Sequence, residues 1–218
     1  MATQPSEPPG KTVFIGRMIC RIVAHTPWLW PVLSTQVMRF FDASAKNWDG
    51  RTGSGSPDHL AALAAATLKV PVRPERLLDI GCGTGTATLF LAREFPQARV
   101  RGVDLSPAMI KEANGKIGLD PEARVAFRVG DASKLPYPDT NFDLVSQTNM
   151  PIFFREIDRV LRPGGTVIIT SSSGQKTPFS TPDRTVVRKF ARLGISEVET
   201  GAAGNGTYFV GRKREHPE

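Results

Sequence analysis

The chain has 218 residues, 40% of them hydrophobic and 22% charged, with a formal net charge of +7. That length and balance suit one sizeable soluble domain, or a domain with an N-terminal extension, and exclude a disordered or fibrous chain. The positive surplus favours anionic partners in general, but it is spread out: the densest cluster, Arg212-Lys213-Arg214, reads as a solvated tail, so no nucleic-acid partner is expected.

Residues 1–10 carry three prolines and read as a disordered start. They lack the positive region and apolar core of a secretory signal, and Ile22 to Met38 is too interrupted to span a membrane. Cys20 and Cys82 support neither a disulfide framework nor zinc-type spacing. A cytoplasmic protein without a metal site is therefore expected. Val13 to Phe41 is amphipathic, with Arg17, Arg21 and Arg39 among its apolar residues and Trp28 and Trp30 between Pro27 and Pro31. Two readings stay open for residues 13–41. One is a helical cap or lid over the main domain; the other is a surface that touches a membrane or a lipophilic substrate, since Trp beside Arg suits an interface. Asp49 to Pro57, rich in Gly and Ser, reads as a linker, which divides the chain into an extension (1–55) and a ligand-binding domain (56–218).

Ser56-Pro57-Asp58 is a helix start: a capping hydroxyl, a proline for the first turn and an acid for the positive helix end. The helix should run from Asp58 to about Lys69. Strands and helices then alternate. Strands are expected at 76–80, 99–104, 124–129, 142–147 and 166–171, and helices at 86–95, from Ser106-Pro107 onward, at 152–161, and at 182–193 with Thr181 as cap. A closing antiparallel pair, near 196–200 and 207–212, turns through Gly201–Gly206. The alternation argues an α/β fold, a mostly parallel sheet with helices on both faces.

The first strand ends in Leu77-Leu78-Asp79-Ile80-Gly81-Cys82-Gly83-Thr84-Gly85. A buried strand that feeds a glycine-rich turn and then a helix is a small-molecule site. Dinucleotides need G-x-G-x-x-G, and here glycines fall at 81, 83 and 85, so that spacing fails. Asp79 is a poor neighbour for a pyrophosphate and suits a positively charged ligand. Asp104, ending the second strand, can accept hydrogen bonds from both hydroxyls of a ribose. Asp131, after the third strand, can accept one from an adenine amine. Together the three acids describe an amino-acid end, a ribose and an adenine. Cys82 reads as a small residue tolerated in a turn.

LLDIGCGTGTAT, VDLSPAMI, GDASKLPYPDTNFDLV and REIDRVLRPGG, standing in register from about Glu75 to Ile169, resemble the class I S-adenosylmethionine-dependent methyltransferases, in particular the ubiquinone/menaquinone-biosynthesis-like (methyltransferase type 11) branch. The resemblance implies a Rossmann-like seven-stranded sheet of order 3-2-1-4-5-7-6 with strand seven antiparallel. It implies S-adenosylmethionine as cofactor, S-adenosylhomocysteine as product and a small, apolar or aromatic methyl acceptor. Asp79, Gly81 and Gly83 would lie near the methionine part, Asp104 near the ribose, and Asp131, Ala132, Leu105 and Met109 near the adenine. Cys82, Gly85 and Gln147 complete the implied cofactor set.

In this fold the segment after strand four, here Gln147 to Glu156, faces the transferred methyl group. Relatives often carry a longer segment with a histidine pair; this chain has neither, which suggests an open cleft covered by the N-terminal residues. No catalytic residue is assigned. His25, His59 and His216 lie far from the motifs in sequence; His25 could reach the cleft if the N-terminal residues fold over it, but is expected at the surface or in packing. Phe153 and Phe154 fit helix-core packing or a wall of the acceptor pocket. Asn149-Met150-Pro151-Ile152 only partly matches the Asn/Asp-Pro-Pro-aromatic motif of nucleobase and glutamine N-methyltransferases, because Met and Ile stand where the motif has a proline and an aromatic. A non-catalytic protein on the same fold is the remaining alternative.

Overall fold

A computed structural model describes residues 10–120 and 122–215; residues 1–9 of the expected disordered start, and His216, lie outside them. The helices are α1 (Gly10–His25), α2 (Trp30–Ser44), α3 (Trp48–Thr52), α4 (Pro57–Thr67), α5 (Thr86–Glu94), α6 (Pro107–Gly115), α7 (Phe154–Val160) and α8 (Asp183–Ala191). The strands are β1 (Arg76–Ile80), β2 (Arg99–Asp104), β3 (Val125–Val129), β4 (Phe142–Thr148), β5 (Leu161–Ser171), β6 (Ile195–Ala203) and β7 (Gly206–Lys213). They form one sheet of order β3-β2-β1-β4-β5-β7-β6. β1 to β5 pair in parallel, and β7 runs antiparallel to both neighbours, as expected.

Neighbouring residues of each strand point to opposite faces, and the core divides accordingly. Leu78, Val145, Val167 and Phe209 join one apolar cluster with α1, α7 and α8, while Leu77, Leu144, Ile168 and Val210 join another with α4 and α5. Each such side chain, fully buried, contributes roughly 1.5–3 kcal/mol. Because β1 is buried on both faces, ligand can reach it only at its carboxyl end, where the glycine turn begins.

Two expected caps form: the Ser56 hydroxyl accepts from the His59 amide, and the Ser106 hydroxyl from the Met109 amide. Thr181 does not cap α8, whose first flanking residue is Pro182 with no side-chain cap bond. α7 starts later than expected, because Met150 to Phe153 stays outside the helix after Asn149 takes a left-handed φ of 54°. Arg212 lies in β7 as the expected strand 207–212 has it, and Lys213 is no tail residue but ends β7, where its ammonium donates to the Asp158 and Leu161 carbonyls.

The stretch read as a linker is folded. α3 occupies Trp48–Thr52, and the Asp49 carboxylate accepts from the hydroxyls of Ser54 and Thr84, both at 2.5 Å, and pairs with Lys116. Burial raises the Asp49 pKa, but the hydrogen bonds from Lys116, Ser54 and Thr84 outweigh it and hold the carboxyl below its ordinary value. One helix earlier, Asp42 accepts from the Ser106 hydroxyl and, at 3.1 Å, from the Ala108 amide. A carboxylate at the first turn of α6 meets unpaired amides and the positive helix end. Both acids therefore stitch the N-terminal helices to the sheet domain. Asp42→Ala should lower stability by about 1–2 kcal/mol, the usual worth of a lost cap, and should speed limited proteolysis between α1 and α3. Unchanged melting and unchanged cleavage would mean that the helices are held by other contacts.

Candidate functional site

The glycine turn leaves β1 with φ of 68° at Gly81, 51° at Gly83 and 82° at Gly85. Side chains rarely adopt these values. The turn is fastened to β2: the amides of Gly81 and Cys82 both donate to the Val103 carbonyl, and the Gly83 amide donates to Asp104 Oδ2 at 2.9 Å. A Cβ on Gly85 would press into Phe127 and Ala113, so this glycine serves packing. A Cβ on Gly83 would meet nothing within 4 Å. Gly83 therefore opens onto space that a ligand can fill.

That space is a cavity of about 650 Å³, an ordinary size for a small-molecule site. Of the residues implied for the cofactor, Gly81, Cys82, Gly83, Asp104, Leu105, Met109 and Ala132 line it. Asp79, Gly85, Asp131 and Gln147 do not, and each is engaged elsewhere. Asp79 is buried and accepts from the Thr88 hydroxyl at 2.6 Å. Asp131 accepts from the Trp30 indole N–H at 2.8 and 2.9 Å, and from the Ser133 amide. Gln147 is buried and donates to the Met150 carbonyl, leaving its Oε1 without a partner among the described residues. Cys82 is a buried thiol: desolvation and the carboxylates of Asp104 and Asp79 push it well above its ordinary value, so it is no nucleophile at neutral pH.

Asp104 accepts at both oxygens, from the Gly83 amide and the Ser106 amide. Burial raises its pKa, the two amides pull it down, and Asp42 pushes it up again. Each carboxylate oxygen can accept a second bond, so Asp104 keeps capacity for ligand hydroxyls on the cavity side.

Much of the remaining lining comes from residues not assigned to a site in the sequence. Trp30, Val37, Phe40 and Phe41 project from α2 and its start, Trp48 and Arg51 from α3, and Phe179 from the segment after β5. Phe41 meets Trp48 edge-on at 5.3 Å and Phe179 at 5.8 Å. The two phenylalanines left open divide: Phe153 lines the cavity against Trp30, and Phe154 packs in the core against Phe190. His59, far from the motifs in sequence, lines the cavity, whereas His25 is exposed, as expected, and outside the lining. Burial lowers the His59 pKa against the opposing pulls of a Thr52 backbone hydrogen bond and the Asp49 charge, so its imidazole is neutral at pH 7. Asn149 lines the cavity, but its side-chain amide donates to the Ser172 hydroxyl and accepts from the Ser172 amide. A side chain tied at both ends is not presented to a target nitrogen, which argues against the nucleobase and amide reading.

Asp79 carries a titration signature. Burial lifts its pKa to about 7, the Thr88 bond lowers it and Asp104 raises it. Above the unfolded value, about 3.9, the unfolded chain has lost this proton while the folded chain keeps it. The group's contribution to stability is thus full at low pH and is lost as pH rises through about 7. Asp79→Asn should flatten the unfolding free energy between these pH values by up to about 1.4 kcal/mol per pH unit. Urea unfolding at a series of pH values reads this directly; parallel profiles for the two proteins would mean that Asp79 is ionised throughout.

Residues 77–165 match the model of the methyltransferase domain family. Curated relatives include the malonyl-[acyl-carrier protein] O-methyltransferase of Halorhodospira halophila, 34% identical over 62% of this chain and 47% of that protein. Another is the demethylmenaquinone methyltransferase of Symbiobacterium thermophilum, 32% identical over 66% of this chain and 61% of that protein. The chain spans about half the length of the curated relatives it matches. Among solved structures, a chain from the complex of the Haloferax volcanii Trm112 methyltransferase activator with a methyltransferase shares the fold, with a TM-score of 0.66 and 21% identity over 80% of this chain and 98% of that one. The matched segment runs from the strand before the glycine turn through Asp104 and Asp131 to Gly165, so this part of the chain is similar in sequence to a methyltransferase domain, and the sheet shares its fold with solved methyltransferases.

Proposed function

We propose that this protein transfers a methyl group from S-adenosylmethionine to a small apolar or aromatic acceptor. The observation that carries the reading is one cavity lined both by the open Gly83 and Asp104 and by Phe40, Phe41, Phe153 and Phe179. The relatives support a small-molecule acceptor. Their names differ in it, from an acyl-carrier-protein thioester to a quinone precursor and an alkaloid, so the acceptor class rests on the wall alone.

The residues present fit the cofactor. Leu105 and Met109 offer apolar surface to a base, Asp104 offers acceptor capacity to ribose hydroxyls, and Gly81 and Gly83 admit close approach of the backbone. Bound there, S-adenosylmethionine supplies an electrophilic methyl group on a sulfonium. The chain's part is orientation and exclusion of water. An acceptor held flat between the aromatic side chains has few poses open to it, and orientation alone accounts for several kcal/mol of a barrier. Where the acceptor carries a proton, His59 is the neutral base in the cavity wall. The N-terminal helices, through Asp42 and Asp49, act as the lid that closes the cleft left by the short segment after β4.

Calorimetry with S-adenosylmethionine and S-adenosylhomocysteine tests the cofactor half. Both should bind, and Asp104→Asn should weaken binding roughly 10- to 100-fold, the worth of one or two hydrogen bonds to a charged acceptor. Binding of neither would sink the reading. Gly83→Ala should keep the fold at a cost of about 1–2 kcal/mol for its left-handed backbone and should weaken the cofactor by a similar factor, because the new methyl enters the cavity. Transfer of labelled methyl groups onto an apolar extract tests the acceptor half; label found only in the polar fraction would overturn the acceptor class and leave the cofactor reading standing.

A further inference from the structure

α1 is built with its larger apolar residues outward. Its inward stripe, Gly16, Ile19, Cys20, Val23 and Ala24, is small and buried, and at Gly16 the helix lies so close to the Pro178 backbone that a Cβ would collide. Its outward residues include Phe14, 70% exposed, and Ile15 and Met18 beside it. Phe14, Met18, Arg21 and His25 are spaced four, three and four residues apart and share one helix face. The connection to α2 continues this pattern, with Trp28 at 74% and Val32 at 75% exposure, and Phe40 follows on α2. A monomer normally scatters such residues singly; here they crowd two consecutive helices. The charges in this segment have one sign. Residues 10–41 contain no aspartate or glutamate, while Arg17, Arg21 and Arg39 are exposed.

We propose that the outer face of α1 and the start of α2 docks on an anionic lipid bilayer. Apolar side chains inserted at the headgroup boundary, ringed by arginines that attract acidic headgroups, are the physical recipe for a helix lying in the interface. An exposed indole beside such a helix suits the same depth. A protein partner would need a complementary acidic surface of its own; a bilayer with acidic lipids supplies charge and apolar depth together. The face is also continuous with the cavity, since Phe40 is both exposed and part of its lining. If the acceptor is apolar, which rests on the reading given under the proposed function, it reaches the pocket from the bilayer past α2 without crossing water. No helix among the described residues is long and apolar enough to cross a membrane, so the contact is with the surface.

The full chain should co-sediment with phosphatidylcholine vesicles containing phosphatidylglycerol, less with phosphatidylcholine alone, and less as salt rises. The triple variant Phe14→Ser/Trp28→Ser/Val32→Ser should lose roughly tenfold or more of that partitioning, and Arg21→Glu should lose most of the preference for phosphatidylglycerol. None of the four lines the cavity, so S-adenosylhomocysteine binding by calorimetry should be unchanged, and this separates the docking face from the cofactor site. Absence of vesicle binding by the parent chain, or equal binding by the triple variant, would overturn the proposal. So would sedimentation showing a dimer that the triple variant dissociates, which would assign the face to a second copy of the chain.

Discussion

The hydrogen bond from the Gly83 amide to the Asp104 carboxylate holds the site together. It joins the turn after β1 to the end of β2, across the line where ligand must enter. With the two amides that converge on the Val103 carbonyl, it fixes a backbone path that uses three left-handed residues in five. A turn of that shape costs conformational freedom at every glycine, and β2 supplies acceptors for the amides of Gly81, Cys82 and Gly83. The same bond defines Asp104. Burial raises the pKa of this carboxyl, and the two amides oppose that rise. Shape and charge at the cofactor side thus come from one contact.

The N-terminal helices complete the other side, again through carboxylates. Asp42 reaches the first turn of α6, Asp49 reaches Thr84 in the glycine turn, and the Trp30 indole reaches Asp131. The direction of this traffic matters. Two of the three acids read as ligand contacts lie outside the cavity lining, Asp79 bonded to Thr88 and Asp131 to Trp30. An adenine amine arriving at Asp131 would have to share or displace the indole. The acid that remains open to the cavity is Asp104.

The parallel part of the fold was legible because buried strands announce themselves. β1 and β2 begin and end where their apolar runs and terminal acids place them, and Gly81, Gly83 and Gly85 mark a turn that few other ligand sites require. The N-terminal wall was not legible in the same way. Gly50, Gly53, Ser54 and Gly55 have the composition of a linker, and nothing local reveals that Asp49 will find Thr84, 35 residues on. His59 reads as a polar residue on the exposed side of α4 until α3 folds beside it. Lys213 reads as a tail until β7 aligns it with the carbonyls at the end of α7. In each case the deciding partner is distant in sequence, and periodicity carries no information about it. The Ser56 and Ser106 caps, whose partners are three residues away, were foreseeable for the same reason.

α2 has two solvents to satisfy. Val37 and Phe41 face the cavity, where Phe41 meets Trp48 and Phe179, while Val32 and Arg39 face outward. Phe40 belongs to both sides, edge-on to Phe41 at 5.3 Å and still nearly half exposed. A helix with apolar residues on both faces is buried in most soluble proteins. Here it is held at the surface by polar ties at its C-terminal end, chiefly Asp42 to α6, and its identity as a wall depends on them. That arrangement explains why the segment after β4 can be short. α2 with Phe179 gives the cavity a hydrophobic cover from outside the sheet. It also explains why Asn149 is free to serve structure: with both ends of its amide bound to Ser172, it fixes the left-handed step that turns Met150 toward Gly81.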